Sequence, residues 1–287
     1  MPWDGSQPLF RIGLSPLELR NWIEPDEMLL EQLEEKDRLL ADRKSDVFVA
    51  EADTLEAQGE LHGLLVAHLT SCFPQIWQAQ AGAVRNVANG RTVPFDPLAP
   101  IIAAARLVQE DLVLMRRGEE GWRLAAGCVC FPSEWVLTEK FGKPLAHIHG
   151  PVPNFGPNSR NADMIHRIFD NLKPEQPVWR MNWSLYPDAR LFHGEARVAR
   201  RSGDLAQTFL RVEYQTLRKL AGSGDIVFGI RIHLDPATLI GRHAEKQRLA
   251  TGLRKLILQL DGDELAYKGL TEVRSRLIEQ LDAIAGA

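Results

Sequence analysis

The chain has 287 residues, 45% of them apolar and 25% charged, with a formal net charge of −4 at pH 7. That balance is the profile of a soluble globular protein, with no basic tract for a nucleic-acid backbone and no run near the roughly 18–20 apolar residues that a bilayer span requires. Its three cysteines, Cys72, Cys128 and Cys130, form no C-x-x-C or C-x-x-C-H motif and are too few for an all-cysteine iron–sulfur cluster, which excludes a zinc ribbon, a thioether-linked haem and a cluster held by this chain alone.

The opening MPWDGSQPLF has no basic region leading into an apolar core, so no signal peptide is expected and the expected location is cytoplasmic. SPLELRNW then carries a helix start signal: Ser15 to cap, Pro16 at the first position and Glu18 to close a capping box. A second helix is expected from about Asp26 to Asp42, and a third over Thr54–Leu69 from its apolar spacing. His62 and His68 lie on or near that third helix and read as structural.

From Asp111 the period changes. DLVLMRR, the turn Gly118-Glu119-Glu120-Gly121 and WRLAAGCVCF read as two strands. Alternation places Trp122, Leu124, Ala126, Cys128 and Cys130 on one face, which makes the two cysteines small core residues before thiolate ligands. Glu134–Phe141 reads as one or two helical turns.

The stretch Lys143 to Phe155, KPLAHIHGPVPNF, carries the densest chemistry. If it is extended, His147 and His149 point to the same face and could look into one cavity, while the Gly and Pro that follow fix the chain direction. Such a histidine is well placed to hold a metal ion or a cofactor iron; the plainer reading is a surface loop with two ordinary histidines. Asn161–Leu172 reads as a helix, with His166 on it in a packing role.

Three strands are expected next. PVWRMNWSL puts Arg180, Asn182 and Ser184 on one face; QTFLRVEYQTL puts Arg211, Glu213 and Gln215 together; IVFGIRIHL puts Arg231 and His233 together. AGSGD between the last two suits a hairpin. Asp235-Pro236 opens a helical remainder, Ala237–Leu260 and Asp263–Ile284. The expected fold is α+β: a central antiparallel sheet within a core at about 110–235, flanked by helices over 1–105 and 236–287, in one unit without a linker.

A polar row of period two is usually the wet face of a sheet. These rows, however, offer three arginines, a glutamate, amides and a histidine on strands that could be neighbours. Arginine forks match carboxylates, and a glutamate among arginines stays ionised and could hold an ammonium group or relay a proton.

IHGPVP at 148–153, PVWRMNW at 177–183, RVEYQTLRKL at 211–220 and IVFGIRIH at 226–233 together resemble the haem-dependent oxidative N-demethylase family, and FRIGLSPLELRNWIEPDE and YKGL at 267–270 extend the resemblance over nearly the whole chain. The resemblance implies a haem-binding α subunit with a PAS-like sheet and a b-type haem. It implies oxidation of a small alkylamine such as dimethylamine with O2, giving the demethylated amine and formaldehyde. Electrons would come from NADPH through FMN and an iron–sulfur cluster on partner reductase subunits, with a tetrahydrofolate-binding subunit to take formaldehyde. By motif position His149 is the expected iron ligand, since His147 lies outside the IH-x-PVP pattern. Arg180, Asn182, Arg211, Gln215 and Arg231 are assigned to propionates or pocket shape, and Glu213 to the amine cation. His233 is assigned to the catalytic set. It stands where the family often has a tyrosine, as Tyr214 stands where the family is often basic, which leaves the identity of the amine open.

Two other classes are compatible with these residues. One is a haem sensor or carrier without turnover, though no output-domain motif is visible. The other is a non-haem metalloenzyme built on His147-x-His149 with Glu213 or His233.

Overall fold

The computed structural model describes residues 12–194 and 201–286; the MPWDGSQPLF segment and the first two residues of FRIGLSPLELRNWIEPDE lie outside them. A seven-stranded sheet has the order β1-β8-β9-β10-β6-β7-β2, with every pairing antiparallel. Its strands are β1 (Ser15–Pro16), β2 (Phe48–Ala50), β6 (Asp111–Gly118), β7 (Gly121–Cys128), β8 (Val178–Tyr186), β9 (Phe209–Lys219) and β10 (Ile226–Pro236). β3 (Trp77–Gln80), β4 (Ala83–Asn86) and β5 (Thr92–Pro94) form a separate three-stranded sheet. The α+β expectation is met; the expectation that 1–105 is wholly helical is not, because this small sheet sits within it.

The helices are α1 (Leu29–Asp42), α2 (Lys44–Val47), α3 (Leu55–Cys72), α4 (Pro100–Ala105), α5 (Leu137–Lys140), α6 (Leu145–Ile148), α7 (Arg160–Asn171), α8 (Leu239–Arg242), α9 (Lys246–Gln259), α10 (Gly262–Tyr267) and α11 (Arg274–Gly286). None is long and apolar enough to cross a membrane. α1 turns Leu29, Leu33 and Leu39 inward, a helical spacing that stabilises by roughly 1.5–3 kcal/mol per buried side chain. Lys36 on the same stripe is also fully buried, its ammonium 3.6 Å from Asp111 and donating to Glu110 O, so a charge pair ties α1 to the start of β6.

Three apolar clusters cover the large sheet. One packs α1, α3 and α4 on Leu112, Leu114, Ala126, Tyr214 and Val227; a second packs α8–α11 on Trp183, Leu185, Leu210 and Val212. Across an antiparallel ladder, paired residues share a face. Tyr214 pairs with both Met181 and Arg231, and Val212 with Trp183 and His233, so all of these point to the face that the two clusters cover. The opposite face carries Val113, Met115, Leu124, Leu217 and Ile226 under Leu137, Leu145 and Phe169. Along β8 and β9 it continues as Arg180, Asn182, Ser184, Arg211, Glu213 and Gln215.

Local departures from the sequence expectations have identifiable causes. Ser15 and Pro16 do not start a helix: they pair with Trp179 and Val178, and only a 3-10 turn at Leu19–Asn21 follows. The pairing with β6 shifts register beside Leu114/Met115, leaving Ala125 without a partner. One extra residue reverses the side-chain parity, so Trp122 and Leu124 face α7 while Ala126 and Cys128 face α1 and α3. Cys128 and Cys130 are fully buried, and the hydrogen bond with Cys128 and burial both raise the Cys130 thiol pKa. β9 and β10 form the expected hairpin, but β10 runs through Asp235-Pro236 and the helices start later, in four pieces. α10 carries a full capping box between Asp261 and Glu264.

Candidate active site

The segment after Lys143 is helical rather than extended. Pro144 opens α6, and a chain of tight turns follows, closed by His149 N to Leu145 O, Gly150 N to His147 O, Val152 N to His149 O and Phe155 N to Val152 O. On a helical turn, residues two apart diverge. His147 is exposed and His149 is half-buried beside Phe155, their ring centroids 6.2 Å apart. The expectation that both imidazoles face one cavity is therefore corrected: the two histidines point in different directions.

His149 Nδ1 donates to Leu145 O at 3.0 Å, and its Nε2 takes no hydrogen bond from a described residue. Burial lowers the imidazole pKa to about 4; the nearby Arg180 and Lys140 charges push the same way, against the Leu145 carbonyl. At neutral pH this is an uncharged ring with a fixed tautomer and one lone pair, the form that binds a metal. Lys140 also donates to Ile148 O at 2.9 Å, anchoring the turn from α5.

The polar rows of β8 and β9 meet as neighbours. Arg180 pairs with Gln215 and Asn182 with Glu213. Gln215 Nε2 donates to Glu213 Oε2 at 2.7 Å and Asn182 Nδ2 to the same oxygen at 3.4 Å, which leaves Oε1 without a hydrogen bond from a described residue. Arg180 makes no hydrogen bond to a described residue and its buried Nε has no partner; burial lowers its pKa, with Glu213 opposing. A buried guanidinium that makes no hydrogen bond to the anion beside it is incompletely compensated, so this one keeps donors for a further carboxylate.

The other candidates are placed elsewhere. Arg211 shares the face of Glu213 but is spent on structure, donating to Ser133 Oγ, Phe131 O, Arg190 O and Leu191 O. Arg231 and His233 lie on the opposite face. Arg231 is fully buried and bonded to Asp26, Gln32 and Glu24 O; His233 lies 3.2 Å from Glu24 Oε2 and 4.0 Å from Asp26. They hold the 24–26 segment to β10 and do not meet His149, Arg180 or Glu213. Nor does a non-haem set assemble: among the described residues no three His, Cys, Asp or Glu side chains converge as metal ligands.

Sequence reasoning missed the contribution of α10 and of the 132–134 loop. Lys268, at the end of α10, reaches under β8 to Trp183 O, Ser184 Oγ and Asn182 Oδ1. Burial depresses its pKa to about 8, opposed first by Glu213, while burial raises that of Tyr267 beside it to about 12. Glu134, in a left-handed conformation at φ 58, holds buried Arg201 through both carboxylate oxygens. The YKGL motif marked the position of Lys268 but gave no role, because nothing local in sequence connects it to β8. A separate groove of about 680 Å³, lined in part by Arg116, Arg117, Trp122, Asp170, Lys219 and Asp225, shares no residue with this site, and its charges are mostly paired with one another.

The family described as haem-dependent oxidative N-demethylase, alpha subunit-like, covers residues 13–278, and the chain belongs to that family.

Proposed function

We propose that this member of the haem-dependent oxidative N-demethylase alpha-subunit-like family binds a b-type haem on His149 and oxidises an N-methyl group of a small alkylamine of the dimethylamine kind. The observation that carries the reading is that three side chains on one side of the sheet each keep a polar atom without a hydrogen-bond partner among the described residues: His149 Nε2, Arg180 Nε and Glu213 Oε1. They correspond to the three chemical needs of such a site, namely an iron ligand, a counter-charge for a propionate and a counter-charge for an ammonium. The donor set therefore fits a haem: a neutral imidazole whose other nitrogen is committed to a carbonyl and an unpaired guanidinium. Arg211 would shape the pocket through the loops it ties, and Arg231 and His233 would act only through the stability of the opposite face.

A haem held there would supply activation of O2, so that an N-methylamine, O2, two electrons and two protons give the demethylated amine, formaldehyde and water. The protein's own part is binding and orientation. Glu213, with Oε2 fixed by Gln215 and Asn182, offers Oε1 to the substrate ammonium, whose burial without a counter-charge would be costly. The chain has no glycine-rich dinucleotide fingerprint and too few cysteines for a cluster, so the electrons would come from NADPH through FMN and an iron–sulfur cluster on partner subunits. A tetrahydrofolate-binding subunit would suit the formaldehyde produced.

The test is a visible spectrum of protein produced with haem precursor, oxidised and then reduced under carbon monoxide. A Soret band kept in His147→Ala and lost in His149→Ala is expected, with amine-induced shifts in the wild type and formaldehyde on reduction by a suitable reductase. No Soret band in the wild type overturns the haem reading. A Soret band without turnover of any methylamine leaves a haem carrier.

A further inference from the structure

Lys268 is a buried ammonium that reaches the side chain of Asn182, next to Glu213, and the reading above gives it no task. Two of its bonds, 2.8 Å to Trp183 O and 3.0 Å to Ser184 Oγ, pin it to β8 independently of the site; the third runs 3.4 Å to Asn182 Oδ1. An ammonium only donates and an ionised carboxylate only accepts. Asn182 sits between the two, so one amide orientation satisfies both neighbours: Oδ1 toward Lys268 and Nδ2 toward Glu213 Oε2. The flipped amide would set NH2 against the ammonium and the carbonyl against the carboxylate. An asparagine alone carries no such preference.

We propose that Lys268 is a positioning residue for Glu213, fixing the direction of the Asn182 amide and so holding its Nδ2 on the carboxylate. The proposal rests on the reading of Glu213 as the amine's counter-charge. The charges that bear on Glu213 are Arg180 and Tyr186 from β8, Arg211 from its own strand, and Tyr267 and Lys268 from α10. Arg201 and Glu134 bear on Lys268 from the adjoining loops. Of these, Lys268 alone reaches Glu213 through a hydrogen-bonded intermediary. Gln215 Nε2 donates to the same oxygen from a neighbouring position and does not depend on Lys268, so loss of Lys268 loosens one of two donors and leaves the carboxylate in place.

The experiment measures amine affinity against pH, from the dimethylammonium-induced shift in the visible spectrum of haem-loaded protein. Lys268→Met should move the acid limb of binding up and weaken binding near that limb about tenfold, because a carboxylate with a loosened donor that also loses a nearby cation holds a negative charge less well. In an Asn182→Leu background the same substitution should have a smaller effect, that of the lost cation alone, the shortfall being the part that runs through the amide. Asn182→Asp is the second variant. It keeps an oxygen for Lys268, so the β8–α10 tie stays, replaces the donor facing Glu213 with an acceptor and adds a like charge beside it; the acid limb should rise in the same direction. An unchanged acid limb in Asn182→Asp, or additive effects of Lys268→Met and Asn182→Leu, overturns the proposal. Glu213→Gln separates the premise from the proposal, since amine affinity unchanged in that variant would remove Glu213 from the site altogether.

Discussion

The Nδ1 of His149 lies 3.0 Å from the carbonyl oxygen of Leu145, one turn back on the same short helix. A carbonyl only accepts, so this bond puts the proton on Nδ1 and the lone pair on Nε2. Burial, reinforced by Arg180 and Lys140, lowers the folded-state pKa from 6.5 to about 4. The unfolded chain therefore binds more protons between these values, and stability is lost as pH falls from about 6.5 toward 4. Haem-free protein should show a melting temperature that declines through this window. His149→Phe should flatten part of the decline. Another part should remain, because burial also lowers His68 to about 4. Thermal melts of the two proteins from pH 7 to pH 4 check this; identical slopes would show that His149 is not held neutral by the fold.

Arg180 should trade stability against cofactor. Its Nε is buried without a partner among the described residues, and a buried charge with no hydrogen bond to its neighbouring anion costs stability that an apolar side chain of similar size does not. Arg180→Leu is expected to leave the haem-free protein as stable as the wild type or more so, by about 1 kcal/mol, roughly 2 °C in melting temperature. The same variant should lose haem faster to an apoprotein acceptor. A loss of stability without haem, together with unchanged haem retention, would mean that Arg180 is a packing residue.

The period-two rows at Arg180–Ser184, Arg211–Gln215 and Arg231–His233 were legible in the sequence because a strand's alternation is local. Which rows share a face is not local. It depends on register, and the pairing of Arg231 with Tyr214 rather than with Glu213 or Gln215 sends the third row to the other side. The Ala125 bulge was hidden for the same reason: a continuous apolar run gives no sign of where parity reverses. His149 was singled out by motif position, while the separate expectation of an extended segment fails because Pro144 opens a helical turn there. Lys268, 86 residues from Asn182, could be joined to it only through the fold.

The two residues on the far face should separate from the chemistry. His233→Tyr restores the phenol that the family often carries, yet His233 meets Glu24 and Asp26 rather than the Glu213 side. A half-exposed pair of this kind is worth about 0–1 kcal/mol. The variant should keep the wild-type amine-induced spectral shift and lose less than about 1 kcal/mol of stability. Arg231→Met should destabilise by about 3–5 kcal/mol, because it strands Asp26 and Gln32 beside the buried Glu110. An altered amine affinity in folded His233→Tyr would place this side chain in the substrate's environment after all.

Glu213→Gln tests the substrate's charge directly. Gln215 and Asn182 both donate to Oε2, so the carboxylate is oriented before any ligand arrives and Oε1 is the oxygen left for it. An amide of the same shape keeps an acceptor but loses the negative charge. Hydrogen bonds to charged groups are worth about 1.5–3 kcal/mol, so affinity for a methylammonium should fall about 10–100-fold at neutral pH. The acid limb of binding should disappear, since no group at this position would then take up a proton. Haem content and the Soret maximum of the ligand-free protein should stay as in the wild type, because the proposed function gives the amine to Glu213 and the iron to His149. If affinity falls equally for a neutral ligand of the same size, the loss is one of shape, and the counter-charge must be sought elsewhere on the β8–β9 face.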